Sequence, residues 1–208
     1  MTPDEVLAGL DPEQLQVASN PIGPMCVLAG AGTGKTRAIT HRIAYGVHAG
    51  AYQPQRVLAV TFTARAAGEM RTRLRGLGLP VVQARTFHAA ALKQLGFFWP
   101  KVIGGAPPEI MGHKAPAIGE AGARLRLELD RVAIRDIASE IEWAKVGMLT
   151  PESYPTQAAR AGRRVADLDH TAMSRLWATY EEVKAARHVI DFEDVLLLMA
   201  GFLVEGAD

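Results

Sequence analysis

The chain has 208 residues, 49% of them hydrophobic and 22% charged, with a formal net charge of +1. That length allows one large domain or a domain with a substantial insertion, and the composition is that of an ordinary soluble globular protein. The single cysteine, Cys26, excludes an intrachain disulfide and points to a reducing compartment.

The acidic N-terminus MTPDEVLAGLDPEQ has no apolar core of signal-peptide length. DPEQLQVA (11–18) reads as a short helix, with Asp11 as N-cap, Pro12 as first helical residue and Gln14 at the third position of a capping box. MCVLAG (25–30) reads as a buried strand, with Cys26 as apolar filler. GKTRAITHRIAYGVHAG then carries Ile39, Ile43 and Val47 at helical spacing. VLAVTF (57–62) is a second strand. ARAAGEMRTRLRGLG follows as a helix with Ala66, Ala67, Met70, Leu74 and Leu77 opposite its arginines. VVQARTF (81–87) is a third strand leading into the helical HAAALKQLGFF. Strand and helix in strict alternation predict an α/β fold with a parallel sheet, and the unalternated apolar runs predict burial on both faces.

The texture changes near residue 104, where GGAPPEIMGHKAPAIGEAG is rich in Gly and Pro and no strand is expected beyond it. RDIASEIEWAKVGML places Ile134, Ile137, Ile141 and Met148 in rough helical register. TPES (150–153) resembles a helix start capped by Thr150. A further helix carries Met173, Leu176, Trp177, Tyr180 and Val183, and DFEDVLLLMAGFL is a last helix capped by Asp191. The expected organisation is an α/β part over 1–104, an all-helical insertion over 105–188, with Trp143 and Trp177 in its core, and a return to the first part over 189–208. The apolar run Val195 to Val204 is too short to span a bilayer, and the six histidines have no zinc-ligand spacing.

The chemistry concentrates at LAGAGTGKTR (28–37). A phosphate loop works because successive backbone N–H groups and a helix N-terminus converge on an anion. Gly32 and Gly34 supply backbone freedom, Lys35 brings a cation to the phosphates, and the Thr36 hydroxyl can ligate Mg²⁺. The usual pattern asks for Gly where this chain has Ala29. An acidic metal partner is also required. The candidate cluster is Asp191, Glu193 and Asp194, which reads as a capped helix start rather than a strand end. Between Arg56 and Arg85 there are six arginines against one acid, Glu69. That balance suits an anionic partner, although a solvated helix face is the first explanation for it.

Taken together the motifs resemble the N-terminal part of superfamily 1 DNA helicases of the UvrD/Rep/PcrA type, closest to the actinobacterial branch. LDPEQLQVA (10–18) resembles the family's Q motif, AGAGTGKTR (29–37) its motif I, VTFTARAAGEM (60–70) its motif Ia, RTFHAAALKQL (85–95) its TFH motif, and VIDFEDVLLL (189–198) the D-F-x-D-L segment after its helical insertion. In that family the loop ordinarily begins with Ala, so Ala29 becomes part of the match. The resemblance implies a P-loop NTPase fold of RecA type, ATP and Mg²⁺ as cofactors, and single-stranded DNA as partner. It implies ATP contacts from Gln14, Ala29, Gly30, Ala31, Gly32, Thr33, Gly34, Lys35, Thr36 and Arg37, with Lys35 and Thr36 acting on the phosphates and metal. Gln14 reads as adenine contact or as capping residue, and the two are compatible. Arg37 would lie against the adenine ring, or is a helix-surface arginine.

DNA contacts are implied for Phe62, Thr63, Arg65, Thr86, Phe87 and His88, because an aromatic face stacks on any base while hydroxyls and arginines hold phosphates. Without the resemblance Phe62 and Phe87 would read as core; with it Phe62 turns to DNA and Phe87 stays open. Arg71 and Arg73 read as a solvated face. The family's Asp-Glu motif normally follows D-F-x-D-L, and neither it nor the second motor lobe is present by Asp208. The expectation is part of a 3′-to-5′ ATP-dependent helicase of DNA repair, cytoplasmic and nucleoid-associated, inactive alone and completed by the second lobe or a repair partner. The competing expectation is a catalytically silent ATP- and DNA-binding module. An unrelated P-loop kinase is disfavoured by the TFT and TFH motifs.

Overall fold

A computed structural model describes residues 1–205, which divide into two compact units meeting between Ala90 and Ala91. The first has mixed α/β content. Helix α1 (Pro3–Leu7) opens with a complete capping box: Thr2 Oγ1 accepts from the Glu5 amide at 3.2 Å, and the Thr2 amide donates to Glu5 Oε2 at 2.7 Å. Helix α2 (Pro12–Ala18) is capped by Asp11, whose Oδ1 accepts from the Gln14 amide at 2.7 Å. Helix α3 (Lys35–His48) follows the glycine loop, and a single 3-10 turn leads to β1 (Leu58–Thr61). Helix α4 (Ala64–Gly76) connects to β2 (Gln83–Thr86), which runs into α5 (Phe87–Val102). β1 and β2 pair in parallel, from Leu58 opposite Gln83 to Thr61 opposite Thr86. Their inner face and α3 and α4 close a core of Ala44, Ala59, Met70, Leu74, Val82 and Ala84.

One expectation fails in this unit and another holds in part. Residues 25–30 form no strand: the segment is exposed, Leu28 at 93%, and Cys26 is exposed rather than buried filler. An apolar run becomes a strand only when a neighbour pairs its backbone groups, and among the described residues β1 pairs with β2 alone. The stripe on α3 holds in part: Ile43 and Val47 pack against the core, whereas Ile39 faces solvent and the small Ala38 and Ala44 are buried, which lets α3 approach its neighbours closely.

The second unit comprises most of α5, β3 (Glu109–Ile110), α6 (Ala115–Arg124), α7 (Arg131–Val146), α8 (Tyr154–Arg160), α9 (His170–Ala186), β4 (Val189–Ile190) and α10 (Phe192–Glu205). Ile118, Ile137, Ile141, Tyr154, Leu176 and Tyr180 are fully buried at its centre, with Trp177 beside them and Trp143 packed against the rim. The region is not purely helical: β3 and β4 pair in parallel over two residues, too short to leave a periodic signature. Met148 lies beyond the end of α7 at φ +56° and is exposed, so it does not continue the α7 stripe. TPES forms a turn closed by Thr150 and Ser153, and α8 begins only at Tyr154. The units divide earlier than the composition break at 104, because Ala91 and Leu95 of α5 pack on Val195 and Met199 of α10. Of the 189–208 segment, 206–208 lie outside the described residues. Among the described residues no helix is long and apolar enough to cross a membrane.

Candidate functional site

The glycine loop is built from the residues that the pattern singles out. Gly32 and Gly34 have φ of +79° and +80°, a conformation that L side chains rarely adopt. Gly34 is also the residue before α3, and a Cβ there would lie 2.4 Å from the Gln14 side-chain nitrogen. Only glycine permits Gln14 to approach so closely. Thr33 Oγ1 donates to the Gly30 carbonyl at 2.9 Å, closing the loop on itself. The Lys35 ammonium donates to the carbonyls of Ala29 at 2.9 Å and Gly30 at 2.5 Å, so the cation spans the mouth of the loop. Ala31 forms the exposed turn between them, and Thr36 follows as second residue of α3.

Gln14 joins this loop from α2. Its Nε2 donates to the Thr33 carbonyl at 3.3 Å, while its Oε1 is buried and accepts no hydrogen bond. The Asp11 cap therefore forms half a capping box, and the Gln14 side chain points to the loop instead of closing the other half. Arg37 donates to the Gly9 carbonyl at 2.9 Å, which ties α3 to the α1–α2 turn. A groove of about 540 Å³ runs between α2 and the loop, lined among others by Gln14, Val27, Leu28, Gly30, Thr33 and Lys35.

The expected nucleic-acid residues gather at the carboxyl ends of β1 and β2, where ligands bind in open α/β sheets. Phe62 follows β1 and is 88% exposed; Phe87 follows β2 and is 41% exposed. Their rings meet at 5.3 Å with a 44° tilt, an aromatic ridge on the surface rather than core. Thr63 Oγ1 caps α4 by accepting from Ala66, and Thr86 Oγ1 accepts from Ala89, each at 3.1 Å. Both hydroxyls thus have structural work beside the ridge. Arg65 is exposed and pairs with Glu69 at 3.2 Å, and His88 is half-buried next to Phe87 in sequence. Arg71 is exposed, as expected of a solvated face, and its guanidinium also donates to the Ala84 carbonyl at 2.8 Å, which braces α4 to β2.

The acidic candidates are committed elsewhere. Asp191 is 1% exposed, and its Oδ2 lies 2.6 Å from Lys145 Nζ and 3.0 Å from Lys184 Nζ. Asp194 pairs with the same two lysines, and Glu193 with Lys114 at 2.7 Å. Asp191 and Asp194 also exchange side-chain-to-amide hydrogen bonds, the capped helix start that the sequence suggests. Glu181 completes the cluster against both lysines, and the Tyr180 hydroxyl donates to Asp191 at 2.9 Å. Burial pushes the Asp191 carboxyl up, but the two lysine charges outweigh it and hold it below the usual carboxylate range. Burial likewise depresses the Lys145 ammonium, and the charges of Asp191, Glu181 and Asp194 overcome it and hold the group above its ordinary value. A carboxylate triad filled by two ammonium groups is an ion cluster and not a metal site.

Sequence patterns do not single out Arg42 and Tyr52. Arg42 on α3 donates to three carbonyls of the segment that leads to the glycine loop: Asn20 at 2.9 Å, Pro21 at 3.2 Å and Gly23 at 2.9 Å. The Tyr52 hydroxyl donates to the same Pro21 carbonyl.

The profile of the UvrD/REP helicase N-terminal domain matches residues 10–207. The chain is 46% identical to the "ATP-dependent DNA helicase UvrD2" of Mycobacterium tuberculosis over 98% of its own length, which is 31% of that protein. It is 30% identical to the "ATP-dependent DNA helicase PcrA" of Leuconostoc citreum, covering 95% of this chain and 26% of that protein. The "ATP-dependent DNA helicase UvrD1" of Mycobacterium tuberculosis is also 30% identical, over 93% of this chain and 25% of that protein. The chain thus spans a third or less of the length of the curated relatives it matches. A family profile that takes in almost every residue, together with a glycine loop of this geometry, makes the chain a member of the UvrD/REP helicase family.

Proposed function

We propose that the chain is the ATP-binding part of a 3′-to-5′ DNA helicase that couples ATP hydrolysis to movement along single-stranded DNA. In this reading the first unit belongs to a RecA-like motor domain, residues 105–188 are its inserted subdomain, and 189–208 return to it. The observation that carries the reading is the convergence of Gln14, Gly34 and Lys35 on one loop. The buried, unpartnered Gln14 Oε1 suits the amino edge of adenine, and its amide nitrogen is already oriented by Thr33. The loop amides from Gly30 to Thr36 and the N-terminus of α3 would hold the phosphates, with Lys35 exchanging the Ala29 and Gly30 carbonyls for phosphate oxygens. Arg37 would flank the base. The Thr36 hydroxyl would hold Mg²⁺, which when bound neutralises phosphate charge. Phe62 and Phe87 would stack on bases, with Thr63, Arg65, Thr86 and His88 around the backbone. The setting is the bacterial cytoplasm and its DNA.

Because Asp191, Glu193 and Asp194 are paired with buried or half-buried lysines, they do not supply the acid that hydrolysis requires. The 208-residue chain should therefore bind ATP weakly and show little DNA-stimulated turnover. The same pairing favours the second reading, a silent ATP- and DNA-binding module that acts with a partner. ATP binding and hydrolysis, with and without single-stranded DNA, measured on wild type and Lys35→Ala, test the proposal. Binding lost in Lys35→Ala supports the site. Binding indifferent to Lys35→Ala refutes it, and robust turnover that vanishes in Lys35→Ala refutes the incomplete chemistry.

A further inference from the structure

The residues proposed to read the base and those proposed to hold the phosphates lie on different stretches of chain. Gln14 is on α2, the loop precedes α3, and residues 19–24 connect α2 to the loop segment. No regular secondary structure holds that connection, and the segment after it pairs with no strand among the described residues. A base-reading side chain is useful only if it stays in register with the phosphate loop.

One guanidinium supplies that register. The planar fork of Arg42 reaches three carbonyls of the connection, those of Asn20, Pro21 and Gly23. The Asn20 side chain in turn donates to the Gln16 carbonyl at 2.7 Å, which fastens the same loop to the end of α2. Tyr52 adds its hydroxyl to Pro21, and its ring lies so close to α3 that a Cβ at Gly46 would come within 2.4 Å of it. Gly23 turns at φ +82° between these contacts. The third turn of α3 thus grips the far end of the chain whose near end carries Gln14, while the first residue of α3 is Lys35.

We propose that Arg42, seconded by Tyr52, is a positioning residue for base recognition. It locks the connection after α2, and with it α2, to α3, so that Gln14 keeps its register with a phosphate loop that Arg42 does not itself touch. Arg42 touches neither base nor phosphate in this assignment. The inference rests on the nucleotide site proposed above. It adds that base selectivity is set by a residue remote from the base.

The test compares the affinities of ATP, GTP and inorganic tripolyphosphate for the 208-residue chain by calorimetric titration, with thermal melting of each variant alongside. Arg42→Ala should weaken ATP about tenfold, the loss expected for removing charge-assisted bonds that hold a contact in place. It should erode the preference for ATP over GTP and leave tripolyphosphate unchanged. Arg42→Lys, with one donor cluster in place of a fork, should fall between. Tyr52→Phe should shift the preference in the same direction by less, and carries the test if Arg42→Ala fails to fold. An unchanged ATP-to-GTP ratio in a folded Arg42→Ala overturns the proposal, as does a wild type without preference. Equal weakening of all three ligands also overturns it, since that is the mark of a merely structural arginine. If Lys35→Ala leaves wild-type ATP binding intact, the nucleotide site itself fails. If Lys35→Ala abolishes binding while the Arg42 variants keep full selectivity, only the present proposal fails.

Discussion

Replacing Lys184 with methionine removes one of two ammonium groups from a buried cluster of known composition. Lys184 is 3% exposed and Lys145 4%, and they face Asp191, Asp194 and Glu181. Two cations against three carboxylates leave a local charge of −1, and the variant leaves −2, with Asp191 at 1% exposure losing one of its partners. Breaking a buried pair from one side costs about 3–5 kcal/mol, because the remaining charge is uncompensated while its desolvation persists. For a unit of this size that corresponds to a fall in melting temperature on the order of 10–20 °C. Trp177 donates to Glu181 at 2.9 Å, so its fluorescence reports the cluster during thermal or urea unfolding. The double variant Lys184→Met with Asp194→Asn should recover part of the loss, since it restores the local charge to −1. An Arg65→Ala control breaks an exposed pair and should leave the midpoint unchanged. A Lys184→Met protein within about 1 kcal/mol of wild type would refute the argument that the cluster is tightly desolvated.

Gly34→Ala places a Cβ against Gln14 at a φ of +80°, so it should destabilise the first unit by about 1–2 kcal/mol and weaken ATP binding; melting and titration check both. The Asp191 carboxyl is held below its ordinary value, so its stabilisation is complete above about pH 4 and is lost as pH falls further toward the folded value. Acid titration followed by Trp fluorescence should show this loss in wild type and its absence in Asp191→Asn. Phe62→Ala should leave the melting temperature unchanged, since the ring is exposed, yet lower single-stranded DNA affinity by about 1–3 kcal/mol. The affinity that remains should fall steeply with salt in fluorescence anisotropy, and salt-insensitive binding would deny the phosphate contacts.

Local patterns carried the elements whose stability is local. The Asp11 cap, the periodic helices α3, α4, α7 and α9, and the strands β1 and β2 all coincide with sequence signals. The capping box of α1 was equally legible in Thr2 and Glu5, although the acidic stretch reads first as an absent signal peptide. Residues 25–30 misled because an apolar run states a preference for burial, whereas pairing depends on a neighbour distant in sequence. The ion cluster left a fainter trace. Lys145 stands four residues after Ile141, on the buried stripe of α7, and a lysine on such a stripe signals a buried partner without naming it. Within the site, the glycines and Lys35 follow from phosphate-loop chemistry and an outward Phe62 from the family resemblance, which left Phe87 open between surface and core. Arg42 could not be read, because its partners are backbone carbonyls of Asn20, Pro21 and Gly23, which no side-chain pattern encodes.

The exposed segment at 25–30 also bears on how copies of this chain behave toward each other. β1 presents an edge whose backbone groups pair with no other strand among the described residues, and Leu28 and Val27 stand uncovered nearby. Natural sheets blunt such edges with lysines, prolines or bulges. Here the exposed side chains of the neighbouring stretch, Met25, Val27 and Leu28, are apolar instead. A net charge of +1 supplies little repulsion to oppose apolar contacts between copies.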